Sequence, residues 1–150
     1  MSRFALALTQ LLALAVCSMS SVALGRVVQY EEVAFSTVIA LQTCGRWEVD
    51  GKFGEFRVVQ AYFYGGTMLF VDMVGANDRG TWHEVFRGFT FHELNDDHLE
   101  LELSDVRCSS NHINKITVSG LAEPFEREPF SFTLELDGAT GRYEIKRQPK

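Results

Sequence analysis

Basic residues are scarce in this chain, and lysine is the scarcest, occurring only at positions 52, 115, 146 and 150. Lys and Arg total 14 against 20 Asp and Glu, a net charge of −6. A nucleic-acid binder works by neutralising phosphates with cations, so this balance argues against that partner class. It argues equally against docking on anionic lipid headgroups. After the N-terminal stretch no apolar run is long enough for a membrane helix, so no membrane insertion of the mature chain is expected. Internal repeats, low-complexity tracts and N-glycosylation sequons are absent. Absent too are HExxH spacing, a nucleophile-elbow pattern and a phosphate-cradling loop. Gly51-Lys52-Phe53-Gly54 has no helix after it and reads as a strand connection. No cofactor and no catalytic residue are therefore implied.

What is present begins with an address. Arg3 gives a positive start, Phe4 to Val16 form an apolar run broken only by Thr9 and Gln10, and Ser21-Val22-Ala23 and Ala23-Leu24-Gly25 offer small residues for cleavage. This is the three-part pattern of a secretory signal peptide over 1–25. The expected domain is 26–150, about 125 residues, enough for one compact core. The expected location is periplasmic or secreted, with a mature start near Leu24 or Arg26. Leu14-Ala15-Val16-Cys17 resembles a bacterial lipobox, but Val16 stands where Gly, Ala or Ser is usual, so no lipid is expected on Cys17.

Loss of the leader leaves two cysteines, Cys44 and Cys108. In an oxidising compartment the simplest outcome is one disulfide. A redox pair would place its sulfurs close in sequence at a helix start, and these are far apart.

The dominant period is two. Leu99, Leu101 and Leu103 alternate with Glu100, Glu102 and Ser104, and Phe130, Phe132, Leu134 and Leu136 alternate with Ser131, Thr133, Glu135 and Asp137. Asp137-Gly138 and Gly141 then give turn chemistry before Tyr143 and Ile145, so 130–147 reads as a hairpin. Glu55 to Tyr64 and Thr67 to Val74 flank Gly65-Gly66 as an earlier hairpin. Weaker strands are expected near 27–33, 36–42, 44–50, 82–92 and 113–119, and only Tyr30 to Ala40 has spacing that a short helix could use. The expectation is an all-β fold, an antiparallel β-sandwich or small β-barrel of about eight strands.

Pairing Tyr64 with Thr67 makes both faces of the 55–74 hairpin largely apolar. One holds Phe56, Val58, Leu69, Val71 and Met73; the other holds Val59, Ala61, Phe63, Met68 and Phe70, with Arg57 and Asp72 set diagonally within reach of an ion pair. The second face is either a covered core or a surface kept for a partner. On the latter reading Phe63, Met68 and Phe70 are apolar contacts, and Arg57 and Asp72 fix orientation.

Histidines 83, 92, 98 and 112 are the remaining candidates for chemistry. His92-Glu93-Leu94-Asn95-Asp96-Asp97-His98 offers two imidazoles and three carboxylates, making His92 and His98 weak metal-ligand candidates. Asn-Asp-Asp is also ordinary turn chemistry, and a solvated loop is the expectation. Ser109-Ser110-Asn111-His112 reads as a turn after Cys108, and Trp47 and Trp82 as core aromatics. Thr140-Gly141-Arg142-Tyr143 is faintly similar to the Ser-Gly-x-x-Tyr type motif in the binding loop of small periplasmic β-barrel lysozyme inhibitors. Thr replaces Ser there and the Tyr comes one residue early; the stretch also fits a plain turn. The expected function is a non-catalytic exported binding module that recognises a protein or small ligand through a sheet face. The alternatives are a hydrolytic or metal-dependent envelope enzyme centred on His92 and His98, and a structural envelope protein with no discrete ligand.

Overall fold

A computed structural model describes residues 37–63, 65–76, 80 and 82–150. The expected leader, Cys17 and the strand near 27–33 lie outside the described residues. Eight strands follow in order: β1 (Val38–Val49), β2 (Lys52–Phe63), β3 (Gly66–Ala76), β4 (Trp82–Thr90), β5 (Glu102–His112), β6 (Lys115–Glu123), β7 (Phe130–Asp137) and β8 (Arg142–Pro149). They form two four-stranded antiparallel sheets, ordered β1-β2-β3-β4 and β5-β6-β7-β8. Each sheet is a meander, because within it every strand pairs antiparallel with the next one in the chain.

The two sheets pack through one shared core. Phe56, Val58, Leu69, Val71 and Met73 come from the first sheet, and Ile116, Val118, Phe132, Leu134 and Leu136 from the second. Fully burying each such side chain contributes about 1.5–3 kcal/mol. Period-two alternation produces this directly: in β7, Phe132, Leu134 and Leu136 are buried, while Ser131, Thr133 and Asp137 are half-covered and Glu135 is exposed. The fold is all-β and sandwich-like, which decides between the two architectures left open above.

The sheets also join along the edges of β1 and β5. Cys44 and Cys108 form the disulfide, with Cα atoms 6.0 Å apart, and the Gln42 amide donates to Val106 O at 3.0 Å. Gly45 permits this approach: it adopts φ +65°, and a Cβ there would meet Ser110 Cβ at 2.5 Å.

Three local expectations need correction. The strands expected at 36–42 and 44–50 are one strand, because the irregularity at Gly45 is absorbed as a register shift between Cys44 and Arg46. The 55–74 hairpin pairs Phe63 with Gly66, two residues from the expected register. A two-residue slip keeps every side chain on its face and sets Arg57 directly opposite Asp72. Ser109 to His112 lie in β5, and the turn falls at 113–114; polar residues are tolerated there because β5 is an edge strand exposed along much of its length.

The connection between the sheets, residues 91–101, is more than a solvated loop. Phe91, Leu94 and Asn95 are fully buried. The Asn95 amide accepts from Leu69 N at 2.8 Å and donates to Leu69 O at 2.7 Å. It stands beside β3 where β4 pairing has ended, and so satisfies a backbone pair that would otherwise be orphaned.

Candidate interaction surface

The structure puts the five residues of the expected binding face in two situations. Met68, Phe70 and Asp72 are buried, the two apolar ones in a small second cluster with Val59 and Ala61 on the side of the first sheet away from the main core. Phe63 is half-buried and packs against that cluster. Arg57 is half-buried too, with its side chain 23% exposed. Its Nε and Nη2 donate to Asp72 Oδ2 at 3.0 and 2.6 Å. A buried carboxylate needs such a partner, because isolated it would carry a large desolvation cost. The apolar residues of this face are therefore packed in, not displayed.

The candidate metal ligands separate as well. Asp96, Asp97 and His98 bring ligand atoms within 4.8 Å of one another, a group to which His92 does not belong. His98 Nδ1 lies 2.7 Å from Asp97 Oδ1, and Asp96 Oδ1 accepts from His98 N at 3.0 Å. Ser110 bonds to main chain and not to an imidazole: its hydroxyl reaches the carbonyls of His112 and Lys115 at 3.0 and 2.8 Å. Trp47 is core, 2% exposed, with its indole N–H shared by Glu55 O and Val74 O at 3.1 Å each. Its ring stacks on Phe86 at 5.1 Å.

Thr140-Gly141-Arg142-Tyr143 ends a turn that is internally tied. Asp137 Oδ1 accepts from Ala139 N and Thr140 N at 3.0 and 3.2 Å, and Gly141 sits at φ +74°. Tyr143 donates to Glu93 Oε2 at 3.2 Å and meets Phe91 edge-on. Burial first, and then the Glu93 carboxylate, raise its pKa above the ordinary tyrosine value.

This turn gathers with two others at one end of the sandwich. In the β1–β2 turn Asp50 and Gly51 both have positive φ, as a type I′ hairpin requires. The β5–β6 turn holds Asn114 at φ 66°, and Asn114 is the hub. Its N–H donates to Arg46 O at 2.9 Å, and its O accepts from Gly138 N at 2.7 Å. Its side chain accepts from Glu48 N at 2.7 Å and donates to Glu48 O at 3.0 Å. Gly138 is buried against the core, where a Cβ would strike the Phe56 ring at 2.6 Å. Four backbone and side-chain bonds of Asn114 thus tie the β5–β6 turn to the end of β1 and to the β7–β8 turn.

Around that hub the surface has relief. A cleft of about 160 Å³ is lined by Arg46, Trp47, Glu48, Phe53, Gly54 and Ile113. Phe53 and Ile113 at its rim are 61% and 60% exposed. Past the β5–β6 turn a groove of about 390 Å³ runs over β6, β7 and β8, with His112, Lys115, Glu135, Arg142, Tyr143 and Glu144 among its walls. Small-molecule sites usually occupy roughly 300–1,000 Å³ and are mostly apolar. The cleft is too small for that, and the walls of the groove are as much polar as apolar; the pair suits side chains of a macromolecular partner better. Sequence reasoning missed Phe53 and Ile113. The signal was there in Asp50-Gly51, a strong hairpin dipeptide that brings Phe53 close to a turn.

No known family model, curated protein or solved structure matches the chain.

Proposed function

We propose that the protein is an exported, non-catalytic binding module whose partner is another protein, met at the end of the sandwich where the three turns gather. The observation that carries this reading is the pair Phe53 and Ile113. Both are large, more than half exposed, and set on the rim of a cleft whose backbone is held by the Asn114 bonds. Exposed aromatic and aliphatic anchors on a preorganised frame are what interface hot spots require. Export is supported by the leader pattern of 1–25 and by the Cys44–Cys108 bridge, which fits an oxidising compartment.

The test is in-cell cross-linking of the full chain against the double variant Phe53→Ser, Ile113→Ser. A discrete adduct in the exported fraction that the double variant loses, with an unchanged melting temperature, supports the reading. An adduct that survives both substitutions, or a chain retained in the cytoplasm, overturns it.

A further inference from the structure

We propose that the outer face of the first sheet is a docking surface for the chain's own segment 26–36, which leads into β1 and lies across β2 and β3 as a single arm. This surface is separate from the end of the sandwich on which the binding reading stands.

The burial of this face exceeds what its described neighbours can produce. Val59, Ala61 and Phe70 are at most 1% exposed, yet every apolar side chain clustered with them comes from the same sheet. Side chains of one sheet stand side by side, roughly perpendicular to it. Such neighbours screen a ring laterally and leave its outward end to solvent, so a fully buried Phe70 needs atoms above it as well. The second sheet does not supply them, because it packs on the opposite side against Val58, Leu69 and Val71. The 91–101 crossover turns to that side too: Phe91 and Leu94 join the main core, and Glu93 meets Tyr143 and Arg147 of β8.

The point of entry of the chain identifies the cover. Val38 heads β1 and pairs with Ala61, which pairs with Met68; Val59 and Phe70 form the next row. Residues before Thr37 therefore emerge at the edge of the rows that are covered. Two strand spacings of about 4.8 Å separate β1 from β3, and an extended chain advances about 3.3 Å per residue, so residues 33–35 are within reach of β3. Composition agrees, since Val27, Val28, Tyr30, Val33, Ala34 and Phe35 make six of these eleven residues apolar. Once the leader is removed, the other positions outside the described residues are 64, 77–79 and 81, in the β2–β3 and β3–β4 connections at the two ends of the sheet. Leu41 sets the width of the cover. It pairs with Val59 and shares its face, yet it is 53% exposed. A second copy or a further sheet laid on this face would bury that edge; one stretch of chain passing over β2 and β3 leaves it open.

Photo-cross-linking of the mature chain with p-benzoylphenylalanine in place of Phe63, which is half-buried against the cluster, reads the contact directly. The expected product after digestion is a β2 peptide joined to one from 26–36 within a monomer. A β2 peptide joined only to another segment, a cross-linked dimer, or no product overturns the proposal. The double variant Val33→Ser, Phe35→Ser gives a second reading. It should melt below wild type and raise the fluorescence of an apolar dye several-fold while keeping its strand content, because the face around Phe70 is bared. Val33→Ile with Phe35→Leu should bind the dye no better than wild type. Melting and dye fluorescence like wild type in the serine variant overturn the proposal, and if that variant does not fold the cross-link decides alone. Leu41→Ser, on the open part of the face, should leave dye fluorescence unchanged. A rise equal to that of the serine variant would mean a cover broader than one arm, and the proposal would fall.

Discussion

The side chain of Asn114 and the main chain of Glu48, 66 residues apart, exchange two hydrogen bonds of 2.7 and 3.0 Å, the pattern of one strand step written with an amide. The exchange ties the β5–β6 turn of one sheet to the edge strand of the other. The same residue also occupies φ 66°, where Asn is tolerated and β-carbon sterics penalise most others.

Asn114→Ala removes both side-chain bonds and adds left-handed strain, and should cost roughly 2–4 kcal/mol. Asn114→Gly removes the amide and keeps the backbone freedom, so it should cost less. Chemical denaturation of the two variants measures each part, and equal costs would show that the backbone angle contributes nothing.

Asn95 performs the parallel task inside the molecule, against both backbone groups of Leu69, and it is fully buried. Asn95→Ala leaves a buried N–H and C=O unpaired, at about 1–3 kcal/mol each. A loss of roughly 2–5 kcal/mol is expected in urea unfolding, larger than for Asn114→Gly. A loss under about 1 kcal/mol would mean that the crossover relaxes to let water in.

These two asparagines explain what the sequence could and could not disclose. The β7–β8 hairpin was plain, because Phe132, Leu134 and Leu136 alternate with polar residues that the fold leaves half-covered or exposed. β5 was misread past Cys108, because edge strands with polar residues carry no hydrophobic period. Asn95 sits in Asn-Asp-Asp, ordinary turn chemistry by composition, and only a long-range pairing with Leu69 makes it structural. The cleft and groove are likewise made by turns distant in sequence and brought together by Asn114, so no local pattern could announce them.

The Cys44–Cys108 bridge closes a loop with a sequence separation of 64 and fastens the two edge strands. Thiol titration of the denatured, non-reduced mature protein should find no free thiol. Replacing both cysteines by serine should cost about 4 kcal/mol through the regained entropy of the unfolded chain. Two reactive thiols, or a covalent dimer, would contradict the intramolecular bridge.

The final prediction contrasts two phenylalanines in the first sheet. Phe70 on β3 is 0% exposed, and its ring belongs to the cluster with Val59, Ala61 and Met68. Phe53 at the start of β2 is 61% exposed. Phe70→Ala should cost about 3–5 kcal/mol by leaving a cavity. Phe53→Ala should stay within about 1 kcal/mol of wild type, since solvent already surrounds most of its ring. Thermal melting of the two proteins side by side measures both. If Phe70→Ala melts like wild type, its face opens in solution, and Met68 and Phe70 become candidates for partner contact again. If Phe53→Ala costs as much as Phe70→Ala, Phe53 is an anchor of the fold, and the exposed rim on which the binding reading stands is lost.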